Sequence, residues 1–292
     1  MTHVGRIALA TAGCAVLAAV PVALGAGAAD RAAATRAAAW LAGESPSSMP
    51  AGQQADVMVA MRITGTPARA LAPRLRPLAQ AAPGYADAAG ATAKVVLGAV
   101  AGGGDPRRLG GTDYLAKLRS QSSGGRYGRT AFDQALSMIA LRAATGRVPQ
   151  EAVTTLLGAR ADQGWNLELS PTGEADVDST ALSVVALRAA GQPCGSPAIR
   201  SARAWLATQR SGGGWTAYAG SPPSANSTAL VARADISCGG AARGALALIR
   251  SLQQRSGAIA FTRPEPESRL LATTESVPAL AGYSLARGLR PG

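Results

Sequence analysis

Apolar positions along this chain recur with helical rather than strand spacing, in paired segments separated by glycine. Within 200–235, Ala202, Trp205, Leu206 and Gln209 fall on one side of a first helix. Gly212, Gly213 and Gly214 stop it, because glycine readily takes the left-handed conformation that ends a helix. Trp215 then fills the corner, and Asn226 or Ser227 is suited to cap a second helix starting near Thr228.

The outline returns along the chain. The spacing of Gln209, Gly213 and Trp215 reappears as Gln121, Gly125 and Tyr127. It weakens to Gln253, Gly257 and Ile259, and to Gln80 and Gly84 with Tyr85 one place early. Gly164 and Trp165 keep the glycine and the ring, and Trp40 with Leu41 marks the most eroded copy. Six copies, spaced by about 36 to 49 residues, make the unit a repeat. Second helices are predicted near 53–64, 86–101, 131–145, 178–190, 226–235 and 273–286. Those of the third and fourth copies are apolar nearly all round, as at Ala135, Leu136, Met138, Ile139 and Leu141, and belong inside. First helices such as 112–120 and 198–209 carry a polar stripe and belong outside. An inner ring within an outer ring gives an all-α fold, an α/α toroid (α6/α6 barrel) of six helical hairpins around one cavity. The inner N-termini gather at one end, where unpaired N–H groups favour acceptor or anionic ligand groups.

Composition supports the helical reading: 47% of the 292 residues are hydrophobic, alanine dominates, and aromatics are only 4%. The repeats run without a linker, so one domain over 30–292 is expected. Residues 1–29 resemble an export signal, with Arg6, an apolar stretch from Ile7 to Leu24, and small residues at Ala26, Gly27 and Ala28. That predicts a secreted or envelope protein with a mature start at Ala29 or Asp30. An uncleaved anchor and a lipid anchor at Cys14 are the alternatives; Pro21 and the Gly/Ala tail favour cleavage. The formal charge of +12 is almost all arginine. Compositional bias accounts for most of it, and an anionic cell envelope is the partner it suits best. The arginines are scattered without a basic run, which argues against nucleic acid. The single histidine, His3, lies in the leader, so most zinc and imidazole chemistry is removed and no metal ligands are assigned. Cys194 and Cys238 each follow the second helix of successive units, at the same end of neighbouring hairpins. In an oxidising compartment they are expected to form a disulfide, with two buried thiols as the alternative.

Gln209, Gly213 and Trp215 resemble the QW motif of the prenyltransferase and squalene-cyclase repeat, and 176–181 resembles the DxDDTA motif of class II terpene cyclases. A closer likeness is to secreted bacterial toroids related to the α-domain of the cobalamin carriers intrinsic factor and transcobalamin. It runs through 131–136, 176–181, 225–229 and 273–282 and covers roughly 31–288. That resemblance implies a non-catalytic binding protein for a corrinoid or similar bulky ligand, with no catalytic residue. The implied ligand-binding residues are Gln134, Asp178, Thr180 and Asn226, with Glu275 where the carriers have glutamine. It also implies a separate polypeptide as lid or transporter partner, since the carriers' covering β-domain has no counterpart after the last helix.

Two further readings stand beside it. One is a protein-interaction scaffold at the cell envelope. The other is a terpene-cyclase-like enzyme with Asp178 as general acid, although Ser179 replaces the neighbouring acid and aromatic lining is sparse. A glycan-active enzyme using Glu174 or Glu275 with Asp178 is a more distant option. Zinc prenyltransferases and lanthionine cyclases are excluded by the missing histidine, and thioester proteins by the sequence after Cys194. Asp178 or Ser179, like Asn226 or Ser227, could also serve only as helix caps.

Overall fold

The computed structural model describes residues 26–289 except Ala217 and Ala219, so the expected leader lies almost wholly outside the described residues. In chain order the described α-helices are α1 (Ala28–Gly43), α2 (Ala51–Ile63), α3 (Ala68–Leu71), α4 (Leu75–Ala81), α5 (Ala89–Ala101), α6 (Tyr114–Ser120) and α7 (Ala131–Thr145). They continue with α8 (Gln150–Gly158), α9 (Val177–Ala189), α10 (Pro197–Thr208), α11 (Ala225–Ser237), α12 (Arg243–Ser251) and α13 (Arg269–Leu280).

Alanine explains how the inner helices approach one another. Ala55, Ala93, Ala135, Ala181 and Ala229 hold the same position in successive inner helices, each at 1% exposure or less. At Gly98 even a methyl group would lie 2.8 Å from the Ala55 Cβ, so α5 and α2 meet almost backbone to backbone. Helices α2, α5, α7, α9, α11 and α13 each pack on the next, and α13 packs back on α2. The ring is closed. Helices α1, α4, α6, α8, α10 and α12 cover its outside, which is an α/α toroid.

One device is repeated at the joints of the last three hairpins. In α9 the Thr180 hydroxyl accepts from the Trp165 N–H at 2.9 Å and donates to the Trp165 carbonyl at 3.1 Å. Thr228 of α11 accepts from Trp215 N–H at 3.1 Å, and Thr273 of α13 accepts from Ile259 N–H at 2.8 Å. The indoles are fixed alike: Trp165 Nε1 donates to Leu156 O at 2.7 Å and Trp215 Nε1 to Leu206 O at 2.6 Å. In α5 the matching Thr92 bonds Ala86 O at 3.2 Å, one residue beyond Tyr85. The aromatic that falls one place early in the sequence is thereby released from the joint.

The seam between last and first repeats is polar. Arg250 pairs with Asp30, Gln253 Nε2 donates to Ala33 O at 2.9 Å, and Arg36 Nη2 donates to Gln253 Oε1 at 2.6 Å. Cys194 and Cys238 form a disulfide, with Cα atoms 5.6 Å apart. No helix among the described residues is long and apolar enough to cross a membrane. The last inner helix, expected at 273–286, starts earlier and ends at Leu280 with Pro278 inside it. The chain then turns through a 3-10 segment, Leu285–Arg287, that packs on α9, α7 and α11. With Leu285 and Leu289 buried, this segment closes the ring at the end opposite the inner-helix N-termini.

Candidate functional site

Positions two and six of an α-helix share a face, and the ring turns that face of each inner helix toward the axis. Aligned through Thr180, Thr228 and Thr273, the second position holds Gly52, Gly90, Phe132, Asp178, Asn226 and Leu271. One turn deeper, about 6 Å further in, the sixth position holds Asp56, Lys94, Leu136, Leu182, Leu230 and Glu275. The charges stand on three adjacent helices, α13, α2 and α5. The leucines stand on the opposite three, α7, α9 and α11.

Two ion pairs organise the charged half. Lys94 Nζ lies 2.7 Å from Asp56 Oδ2, and Arg233 Nη1 lies 2.5 Å from Glu275 Oε2. Asp56, Lys94 and Glu275 are walled in by protein yet keep 21%, 23% and 24% of their side-chain surface accessible, so they line a concavity rather than a packed core. Arg233 is 4% exposed, and its Nε has no partner among the described residues. Burial raises the Asp56 carboxyl above its ordinary range despite Lys94. For Lys94, burial favours the neutral amine, but Asp56 and Glu275 outweigh it and hold the pKa above the usual value. The Tyr85 ring, released from the joint, packs on α2, where a Cβ at Gly52 would lie 2.1 Å from its hydroxyl. Only glycine leaves room for it. Burial raises the Tyr85 pKa, and neighbouring Lys94 opposes that rise.

At the mouth, capping is done by residues other than those expected. Asp176 caps α9, its Oδ1 accepting from Ser179 N–H at 2.7 Å, and Ser224 caps α11, its hydroxyl accepting from Ser227 N–H at 3.1 Å. Asp178 and Asn226 are therefore freed from that task. Each is half-buried, and the Oδ1 of each is enclosed with no partner among the described residues. Ser227 hydrogen-bonds the Asp178 carboxyl, but burial, reinforced by Asp176 and Glu275, raises its pKa to about 6.

Two expected ligand residues serve the joints instead. Gln134 is fully buried; its Oε1 accepts from Tyr127 N–H at 2.7 Å, and its Nε2 donates to Gly125 O and Ala152 O at 3.0 Å. Thr180 is fully buried on Trp165. Neither has surface to offer a ligand. Asp178, Asn226 and Glu275 do stand on the inner face, on three consecutive helices. Asp56, Lys94 and Arg233 were missed, although a signal existed. Lys94 interrupts an otherwise uncharged helix, and a charge there must face a cavity or a partner. No group of histidine, cysteine, aspartate or glutamate that could hold a metal occurs among the described residues. Outside the ring, a groove of about 400 Å³ between α10, α11 and α12 is lined by Arg203, Arg210, Trp215 and Arg243, away from Asp178.

The closed double ring and its inward-facing residues define an α/α toroid with a lined interior. Among solved structures, the chain is similar to the type II terpene cyclase MstE from Scytonema, with a TM-score of 0.64 and 16% identity over 87% of this chain and 97% of that one. A variant of that cyclase in complex with geranylgeranyl dihydroxybenzoate, its substrate, gives 0.65 and 15% over 88% and 97%. A glycosidase matches at 0.55 and 14% over 90% and 98%. At these identities the likeness carries the fold alone. No family model matches the chain, and no curated protein matches it in sequence.

Proposed function

We propose that the toroid binds one small amphipathic molecule of isoprenoid type and that Asp178 donates a proton to it, as a terpene-cyclase-like acid. The observation that carries this reading is the division of labour at the α9 terminus. Asp176 takes the capping role, and Asp178 is left half-buried with a pKa of about 6, so it holds a transferable proton in mildly acidic surroundings. The proton passes to an alkene carbon as the π pair forms the new C–H bond, leaving the Asp178 carboxylate and a carbocation. A neighbouring double bond then closes a ring, and a proton lost from carbon to a base restores neutrality. Phe132 on the adjacent helix and Tyr85 are the rings positioned to stabilise positive charge.

The second reading is retention of a ligand without chemistry. It is favoured by Ser179, which stands where a second acid would tune Asp178 and is itself buried. A corrinoid bound this way would rest on Asp178, Asn226 and Glu275, because Gln134 and Thr180 are committed to the joints. Disulfide formation suits an extracytoplasmic setting, which both readings share. Incubation of the protein with linear polyprenes at pH 5–6, followed by mass spectrometry of the organic extract, tests the choice. Cyclised product with wild type, and bound but unconverted substrate with Asp178→Asn, is expected. Binding without product in both proteins selects retention.

A further inference from the structure

The interior of the ring is divided by sign as well as by polarity, and that division constrains what it accepts. Three charged side chains face it, Asp56, Lys94 and Glu275, and the buried Arg233 backs Glu275, so the charges cancel: Asp56 with Lys94 at 2.7 Å, and Arg233 with Glu275 at 2.5 Å. Neither cation is left for an incoming anion, since each is already matched by its own carboxylate. A further group close enough to interact with Glu275 is acidic: Asp178 at the mouth, which becomes an anion above pH about 6. Opposite the charges the lining is apolar, with Leu136 half-buried and Leu182 and Leu230 packed beside it at 2% and 5% exposure.

Resting on the isoprenoid reading above, we infer that the ligand carries an uncharged hydrogen-bonding end group, a hydroxyl above all, docked against the Asp56–Lys94 and Glu275–Arg233 pairs with its hydrocarbon on the Leu136–Leu182–Leu230 wall, and that prenyl diphosphates are rejected. A hydroxyl suits this surface because it accepts from an ammonium and donates to a carboxylate without disturbing the charge balance. A diphosphate brings several negative charges to a surface with no spare cation and two carboxylates, an arrangement that selects against it by repulsion and lost solvation. Leu182 lies one turn, about 6 Å, below Asp178 on α9, so hydrocarbon lying on the leucine wall runs up toward the Asp178 carboxyl.

The test is a titration of the intact protein with farnesol, farnesyl diphosphate and squalene, followed by native mass spectrometry and calorimetry at pH 7. The expected order is farnesol tightest, with the diphosphate weaker by at least about tenfold. Asp56→Asn removes the carboxylate that neutralises Lys94 while keeping a similar shape. In that variant the diphosphate should gain by about tenfold or more relative to farnesol, with an unchanged far-UV spectrum as the check on folding. Wild-type protein that prefers the diphosphate overturns this inference and leaves the isoprenoid reading standing. A preference for squalene over farnesol also overturns it, because no polar end is then being read. Binding of none of the three overturns both.

Discussion

At Asp178 two electrostatic influences oppose each other. Its place in the first turn of α9 favours the carboxylate by roughly 0.3–1 kcal/mol. Enclosure of Oδ1, with Asp176 and Glu275 nearby, favours the acid and lifts the pKa from 3.8 to about 6. A shift of that size corresponds to about 3 kcal/mol, so burial wins. Because the folded-state pKa lies above the unfolded value, the folded protein binds more protons between pH 4 and 6. The contribution of Asp178 is therefore most favourable below pH 4 and is lost as pH rises through 6. Asp178→Asn cannot ionise, and should be more stable than wild type at pH 7 by roughly 1–3 kcal/mol, with little difference below pH 4. Urea melts of both proteins across pH 4–7 measure this directly. A difference that does not grow with pH would place the carboxyl in a wetter setting than its enclosure implies.

The helices are registered by a polar atom at one repeated position. Thr180, Thr228 and Thr273 each satisfy the backbone N–H of the residue at the aromatic corner, and Gln134 does so with a longer side chain. Thr180→Val keeps the volume but leaves the buried Trp165 N–H without an acceptor, at a cost of about 1–3 kcal/mol. A thermal melt should show that loss, and Thr228→Val should give a similar one. Equal stability of Thr180→Val and wild type would mean that packing of the indole alone holds the joint. Gln209, Gly213 and Trp215 announce these corners in the sequence, but the partner that holds them sits 7 to 15 residues further on. Thr180 and Gln134 read as candidates for ligand contact because both lie at the start of an inner helix. Only the packed joint reveals that their hydrogen-bonding capacity is spent.

A toroid is finished only when its last hairpin meets its first, and here the seam has its own steric demand. Gly257 has φ +98°, and a Cβ there would lie 2.5 Å from Arg36 O on α1. Gly213 has a similar φ of +90° but open space around it. Both alanine variants bear the roughly 1–2 kcal/mol of a left-handed alanine. Gly257→Ala must also push α1 from α12, where Asp30, Arg250, Arg36 and Gln253 meet. Denaturant melts should show a larger loss for Gly257→Ala than for Gly213→Ala, with added hydrogen exchange in α1. Equal losses would mean that the seam does not restrain α1.

What the sequence determined by itself is whatever repeats within a few turns of chain. Helical periodicity, glycine stops and the corner aromatics specify hairpins, and six such hairpins with one polar and one apolar partner bury their inner helices by packing side by side, here as a closed ring. The disulfide was legible for the same reason, since Cys194 and Cys238 occupy equivalent places in neighbouring units. The interior was legible only in part: Asp178, Asn226 and Glu275 could be placed at the inner ring from their motifs. Which aspartate caps α9 was decided by the backbone angles at Asp176, φ −112° and ψ 156°, which the spacing of the two acids does not specify. The charged pairs were decided by tertiary structure alone. Asp56 and Lys94 are 38 residues apart and Arg233 and Glu275 are 42 apart, so no local pattern joins them. Each pair joins consecutive inner helices, α2 to α5 and α11 to α13, and ring closure then sets α13 beside α2 so that the two pairs stand together.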